Sequence, residues 1–280
     1  MQTQIGLDEF RNEPFTDFSK AENADAMKAA IEKVRSELGR EYPLVINGEK
    51  LSISSKFKSL NPARKDQVVG VFSEVDDDTS LVEKAIEAAA NAFTVWRNVP
   101  AVDRAKYLFK AADVMRQRKF ELSAWMIFEV SKSWAEADGD VAEAIDFCEF
   151  YGREMIRWAG EQPVTKIEGE DNRLEYIPLG VGAVIPPWNF PLAIMAGMTT
   201  AAIVAGNTVV LKPSSDSPTI AAKFVEILEE IGLPPGVVNF VTGSAATGEA
   251  MVTHSQTRFI SFTGSKQVGL HINEEAAKTR

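Results

Sequence analysis

A chain of 280 residues, 45% hydrophobic and 25% charged, can bury a sizeable core in one large domain or two, and its composition is that of a globular protein, not a disordered one. Forty acidic against 30 basic residues leave a net charge of −10, which argues against a phosphate-tracking nucleic-acid surface. The single cysteine, Cys148, excludes an intrachain disulfide and a cysteine-based zinc cluster.

His254 and His271 stand far apart in sequence, so no metal is expected. Residues 1–10 show no secretory signal. The longest apolar stretch, 191–206, is short for a membrane span and carries Thr199 and Thr200. The expectation is a cytoplasmic protein with no membrane contact.

Taken in order, residues 1–24 place Phe10, Phe15 and Phe18 among polar neighbours, and Asn12-Glu13-Pro14 breaks any helix. This predicts an arm laid along the domain. In 23–40, Ala26, Met27, Ala30, Ile31, Val34 and Leu38 recur at helical spacing, with Gly39 as C-cap. Runs 42–46 and 49–53 flank Asn47-Gly48, a strong hairpin signal, and 68–72 reads as a further strand.

From Asp76 the apolar period is helical, predicting a helix capped by Asp78 or Thr79 and others over 103–118, 120–130 and 135–158. Cys148 lies mid-helix beside Phe147, Phe150 and Tyr151. It reads as a packed thiol, because mid-helix offers neither a base nor a helix N-terminus to ionise it. Residues 161–173 are polar and interrupted by Pro163 and Gly169, a linker or an exposed hairpin.

Four β-α units then follow: strand 182–185 with helix 191–205, 208–211 with 217–231, 237–241 with 247–253, and 259–262 with a helix starting near Lys266. The fold class is therefore α/β, with a doubly wound parallel sheet and right-handed crossovers. The expected division is 1–75 (arm, helix and hairpin), 76–160 (the helical part of the cofactor domain), 161–177 (a linker or exposed hairpin) and 178–280 (β-α repeats).

The strand ends run into Pro186-Pro187-Trp188-Asn189, Lys212-Pro213-Ser214-Ser215, Thr242-Gly243-Ser244 and Thr263-Gly264-Ser265. In an open α/β sheet these loops line one edge, where ligands bind. Small residues, hydroxyls and one lysine suit a phosphate-bearing nucleotide, and the helix beginning after Ser265 offers exposed N–H groups to an anion. Each loop alone is also an ordinary capped turn. Neither Gly-x-Gly-x-x-Gly nor a P-loop is present, since Gly264 to Gly269 continues with Leu270-His271.

Pro187-Trp188-Asn189-Phe190-Pro191, Gly206-Asn207-Thr208-Val209-Val210-Leu211-Lys212-Pro213-Ser214 and Phe262-Thr263-Gly264-Ser265 resemble the signatures of the aldehyde dehydrogenase superfamily. Glu13-Pro14-Phe15-Thr16-Asp17-Phe18, Tyr42-Pro43-Leu44-Val45-Ile46-Asn47-Gly48 and Trp134-Ala135-Glu136-Ala137-Asp138 resemble its pyrroline-5-carboxylate (glutamate semialdehyde) branch.

The resemblance implies a Rossmann-like NAD-binding domain that takes NAD, with NADP left open, and an aldehyde substrate oxidised to the acid in proline and arginine catabolism. It implies that Asn189 donates to the oxyanion of a thiohemiacetal. It places Ile185, Pro187 and Trp188 beside the cofactor and Lys212 on the adenosine ribose. Ser214, Ser215, Gly243, Gly248, Phe262, Gly264 and Val268 line the same site, and Ser265 with its helix holds the pyrophosphate. Glu136 is a weaker tunnel candidate, with a solvated helix-face carboxylate as the alternative.

Departures qualify this. Many family members carry Glu where this chain has Ser215, and the Gly243 to Gly248 loop is one residue short and lacks the middle glycine. The family's general-base Glu and nucleophilic Cys have no equivalent here. The expectation is a truncated chain without its catalytic domain, inactive alone, and a homo-oligomer when complete. The rival is a non-catalytic nucleotide-binding module.

Overall fold

The computed structural model describes residues 7–76 and 78–279. In chain order its elements are α1 (Ala21–Arg35), β1 (Arg40–Tyr42), β2 (Leu44–Ile46), β3 (Glu49–Leu51), β4 (Lys56–Asn61), β5 (Arg64–Ser73), α2 (Ser80–Trp96), α3 (Ala101–Gln117), α4 (Lys119–Val130) and α5 (Trp134–Trp158). They continue with β6 (Val181–Ile185), α6 (Ala193–Val204), β7 (Thr208–Leu211), α7 (Pro218–Glu230), β8 (Val238–Phe240), α8 (Ala245–Thr253), β9 (Thr257–Phe262) and α9 (Lys266–Thr279).

The main sheet has the order β3-β2-β8-β7-β6-β9. Strands β8, β7, β6 and β9 are parallel. The chain fills outward from β6 through β7 to β8, then returns to the other side of β6 with β9. That reversal puts a crevice at the carboxyl ends of β6 and β9, where open α/β sheets bind ligands.

Strand alternation supplies both faces. Val209 and Leu211 pack with residues of α6 and α7, while Val210 faces α2 and α8. All four residues of β7 are buried, and each large apolar side chain so placed contributes about 1.5–3 kcal/mol, an upper bound set by the unfolded reference. The helices thus lie on both faces, as a doubly wound sheet requires. Among the described residues no helix is long and apolar enough to cross a membrane.

The hairpin forms as its Asn-Gly pair demands, with Asn47 at φ 53° and Gly48 at φ 77°. It is not a separate ornament of the arm: Val45 pairs antiparallel with Phe240, so the hairpin extends the main sheet and makes it mixed. The Asn47 N–H donates to Asn239 Oδ1 at 2.9 Å, fixing the turn to β8.

Other boundaries shift for local reasons. Helix α1 stops at Arg35, and Gly39, at φ 81°, turns the chain so that its N–H reaches the Val69 carbonyl and β1 pairs parallel with β5. Pro43 lacks an N–H, so the predicted strand 42–46 divides, Tyr42 going to the β1-β5-β4 sheet and Leu44 onward to the main one. Strand β4 was not expected; its alternating lysines resemble a loop, but it pairs antiparallel along β5. Residues 161–177 contain no strand, only a turn at 168–169, so no hairpin forms there.

The arm lies on α5. Asp138 accepts the Thr16 N–H at 2.8 Å and pairs with Lys119 at 3.0 Å; Asp146 accepts from the Glu13 N–H and the Asn12 amide, both at 2.7 Å. Phe10 meets Phe150 edge-on, and Phe18 meets Trp134 the same way.

Candidate functional site

The strand ends are level with one another. The Lys212 N–H donates to the Val184 carbonyl, Val241 N–H to Leu211, and Thr263 N–H to Ile185, so the loops after β6, β7, β8 and β9 open on one edge. Two neighbouring recesses flank this edge. A cleft of about 930 Å³ holds Asn189 and Phe190 with Lys132, Glu136, Glu143 and Asp146. A smaller one of about 450 Å³ holds Trp188, Ser215, Ser59 and Glu129. Asn189 and Trp188, adjacent in sequence, therefore line different recesses.

Lys212 is buried at 7% exposure. Its ammonium donates to the Pro213 carbonyl at 3.3 Å, and among the described residues no carboxylate forms a salt bridge with it. Burial pushes its pKa down to about 8, against the attraction of Asp76. Its side chain runs along Gly248, whose Cα face leaves it room. Ser215 Oγ donates to the Gly243 carbonyl at 3.2 Å, joining the loops after β7 and β8. Ser214 Oγ accepts the Asp216 N–H.

Asp76, at the end of the chain leaving β5, was not singled out from the sequence. Its Oδ1 accepts the Ser244 N–H at 2.7 Å and the Thr247 hydroxyl at 2.6 Å. Burial raises its pKa, but the bonds from Ser244 and Thr247 outweigh that and leave it below the ordinary value. The loop before α8 is therefore tied to a fixed carboxylate.

Gly243 is required here by space. A Cβ would lie 2.1 Å from Thr247 Oγ1 and 2.7 Å from Asp76 Oδ1. Gly243→Ala should cost about 1–3 kcal/mol and weaken nucleotide binding together, read from urea melts and a titration; unchanged values of both would refute the assignment.

On the far side of the crevice, Ser265 Oγ accepts the Val268 N–H at 3.3 Å and caps α9. Ser265, Gly264 and Val268 are exposed, leaving the N-terminus of α9 open to an anion. Gly264 and Gly269 pack against the Phe262 ring.

Glu136 serves two purposes. It forms a capping box with Ser133 at the start of α5 and also lines the larger cleft. Glu129, missed from the sequence because it looks like one more helix-face acid, is buried and accepts from the Thr219 and Ile220 N–H groups and from Ser59, holding the start of α7. Burial pushes its pKa up to about 7 against those bonds. Cys148 is fully buried on α5, as expected, and burial pushes the thiol up to about 12.

His271 Nε2 and Glu249 Oε2 meet at 2.7 Å between α9 and α8, with Glu275 within ligand reach. Glu275 also pairs with Lys278.

The residues fit an adenine dinucleotide. A buried lysine without a salt-bridge partner among the described residues, hydroxyls on the strand-end loops and an open helix N-terminus supply what a ribose and a pyrophosphate need.

Residues 50–280 match the model of the Aldehyde dehydrogenase family. The chain is 53% identical over 272 residues to 1-pyrroline-5-carboxylate dehydrogenase of Geobacillus thermodenitrificans, covering 97% of this chain and 52% of that protein. A crystal structure of 1-pyrroline-5-carboxylate dehydrogenase from Thermus with bound NAD superposes with a TM-score of 0.95 at 45% identity, over 98% of this chain and 53% of that one. The NAD-bound enzyme of Mycobacterium tuberculosis gives 0.88 at 28% identity, over 99% and 52%. The chain spans about half the length of the curated relatives it matches.

Proposed function

The chain belongs to the aldehyde dehydrogenase family, and from that premise we propose that it binds NAD at the β6–β9 crevice and contributes the cofactor and oxyanion sites for oxidation of glutamate semialdehyde to glutamate, a step of proline catabolism. The observation that carries this reading is the buried Lys212 at the carboxyl end of β7, without a salt-bridge partner among the described residues and against Gly248 of α8, one strand over from β6, whose exit turn carries Asn189. Lys212 donates to the adenosine ribose, and the α9 N-terminus with Ser265 receives the pyrophosphate. Trp188, Pro187 and Ile185 border the nicotinamide end. NAD, when bound, accepts a hydride at its nicotinamide ring.

Asn189 faces the larger cleft, where its carboxamide N–H donates to the carbonyl oxygen as negative charge develops. Loss of one such donor costs about 3–4 kcal/mol of transition-state stabilisation. The aldehyde of glutamate semialdehyde reaches Asn189 through the Lys132, Glu136 and Phe190 wall.

Titration of the chain with NAD tests the cofactor reading, with quenching of Trp188 as the signal. A Trp188→Phe control identifies that residue's share, and no binding at millimolar NAD would sink the proposal. Cofactor preference follows from Ser215, which is exposed and carries no charge. Ser215→Glu should lower NADP affinity about tenfold more than NAD affinity, because a fixed carboxylate repels the 2′-phosphate. An unchanged ratio of the two dissociation constants would show that position 215 does not face the ribose.

A further inference from the structure

Trp188, Asn189 and Phe190 are all exposed, so burial of their side chains does little to fix this turn. A donor aimed at a developing charge must nevertheless hold its place to within about 0.5 Å. Two points just beyond Asn189 are tied instead to buried charges.

One residue on, the Phe190 ring lies 4.0 Å from the Lys132 ammonium. Four residues on, the Ala193 N–H, the first of α6, donates to Asp140 Oδ1 at 2.6 Å. The two charges meet each other: Lys132 Nζ lies 3.3 Å from Asp140 Oδ2, with side-chain exposures of 9% and 0%. Asp140 thus uses one oxygen for the helix and the other for the lysine.

Lys132 is pinned by its backbone. Ser131, at φ 55°, ends α4 in the left-handed region, and the Ser133–Glu136 capping box starts α5 directly after it. The lysine has little freedom to follow a moving turn. A buried ion pair is weak evidence for stability, since apolar residues of similar size often do as well.

We infer that Lys132 and Asp140 are positioning residues for Asn189, fixing the Phe190 ring and the N-terminus of α6 so that the carboxamide immediately before them in the chain keeps one orientation toward the cleft; this rests on the role proposed above for Asn189. Asp140 does not line the cleft, and Lys132, which does, need not touch substrate for this role. They act through the turn.

The test uses the whole 280-residue chain labelled with nitrogen-15. The Asn189 side-chain amide is assigned by its loss in Asn189→Asp. The Trp96 indole, which donates to the Ile203 carbonyl at the other end of α6, reports general loosening of that helix. In Lys132→Met the narrow Asn189 pair should broaden or split while the Trp96 signal stays put. Lys132→Arg, which can still stack on Phe190 and pair with Asp140, should restore it.

An Asn189 pair unchanged in Lys132→Met overturns the inference. So does joint movement of the Asn189 and Trp96 signals without rescue by arginine, which would mark the pair as helix packing only. Should Lys132→Met fail to fold, Asp140→Asn keeps an acceptor for Ala193 while removing the charge, and the same two signals are read. Failure of the wild-type chain to bind NAD would sink the dinucleotide function and leave this result untouched.

Discussion

Given NAD and glutamate semialdehyde, the purified 280-residue chain will yield no NADH above the blank. Asn189 can polarise a carbonyl, but hydride leaves only from a tetrahedral adduct, and forming that adduct needs a nucleophile. Cys148 is the sole cysteine of the chain, and it is fully buried on α5 among aromatic neighbours, not at either recess. Burial, helped by the Glu149 charge, pushes its thiol up to about 12, so at pH 7 the thiol stays protonated.

Cys148→Ala should therefore change nothing in this assay and cost about 1 kcal/mol of stability. Thiol reagents should label the native chain only as fast as it opens. Turnover that survives Cys148→Ala would defeat the thiolate mechanism; turnover abolished by it would show that α5 presents its thiol to substrate after all.

The parallel core was legible because its signals are local. Apolar runs between Gly and Pro gave β6 to β9 within a residue or two, and Asn47-Gly48 gave the hairpin. What the sequence withheld depends on tertiary pairing. Strand β4 alternates lysine with Phe57, Ser59 and Leu60, a pattern that becomes a strand only because β5 lies beside it. The hairpin's place on the main sheet rests on one pairing, Val45 with Phe240, nearly 200 residues apart.

The site divides the same way. Residues on the strand-end loops could be read from composition and from family resemblance. The charges that hold those loops could not, because Asp76, Glu129, Lys132 and Asp140 each look like ordinary surface charges in sequence. Their partners appear only when α4 meets α7, α5 meets α6 and the exit of β5 meets the loop before α8. An acid just after a strand or just before a helix is the one sequence signal that could have pointed to Asp76.

Lys212→Met should give a more stable protein that binds NAD poorly. The folded-state pKa of about 8 lies below the ordinary 10.5, so between those values the unfolded chain holds more protons than the folded one. Below pH 8 the folded chain carries the whole cost of burying an ammonium, of order 3 kcal/mol, and that cost is relieved as pH rises from 8 toward 10.5. Methionine has nearly the same shape and no charge, so at pH 7 the variant should gain up to that amount. It should also lose the wild-type's upward trend in stability above pH 8.

The attraction of Asp76 for the ammonium is lost as well, which trims the gain. Dinucleotide affinity should fall about 10- to 100-fold, the worth of a hydrogen bond from a charged donor. For the wild type, affinity should decline as pH climbs past about 8, because the neutral amine is a weaker donor to the ribose. Urea melts at pH 7 and pH 9.5, with NAD titrations at the same pH values, separate the two effects. A variant less stable than wild type that binds NAD equally well would make Lys212 a structural residue and remove the principal support for the cofactor site.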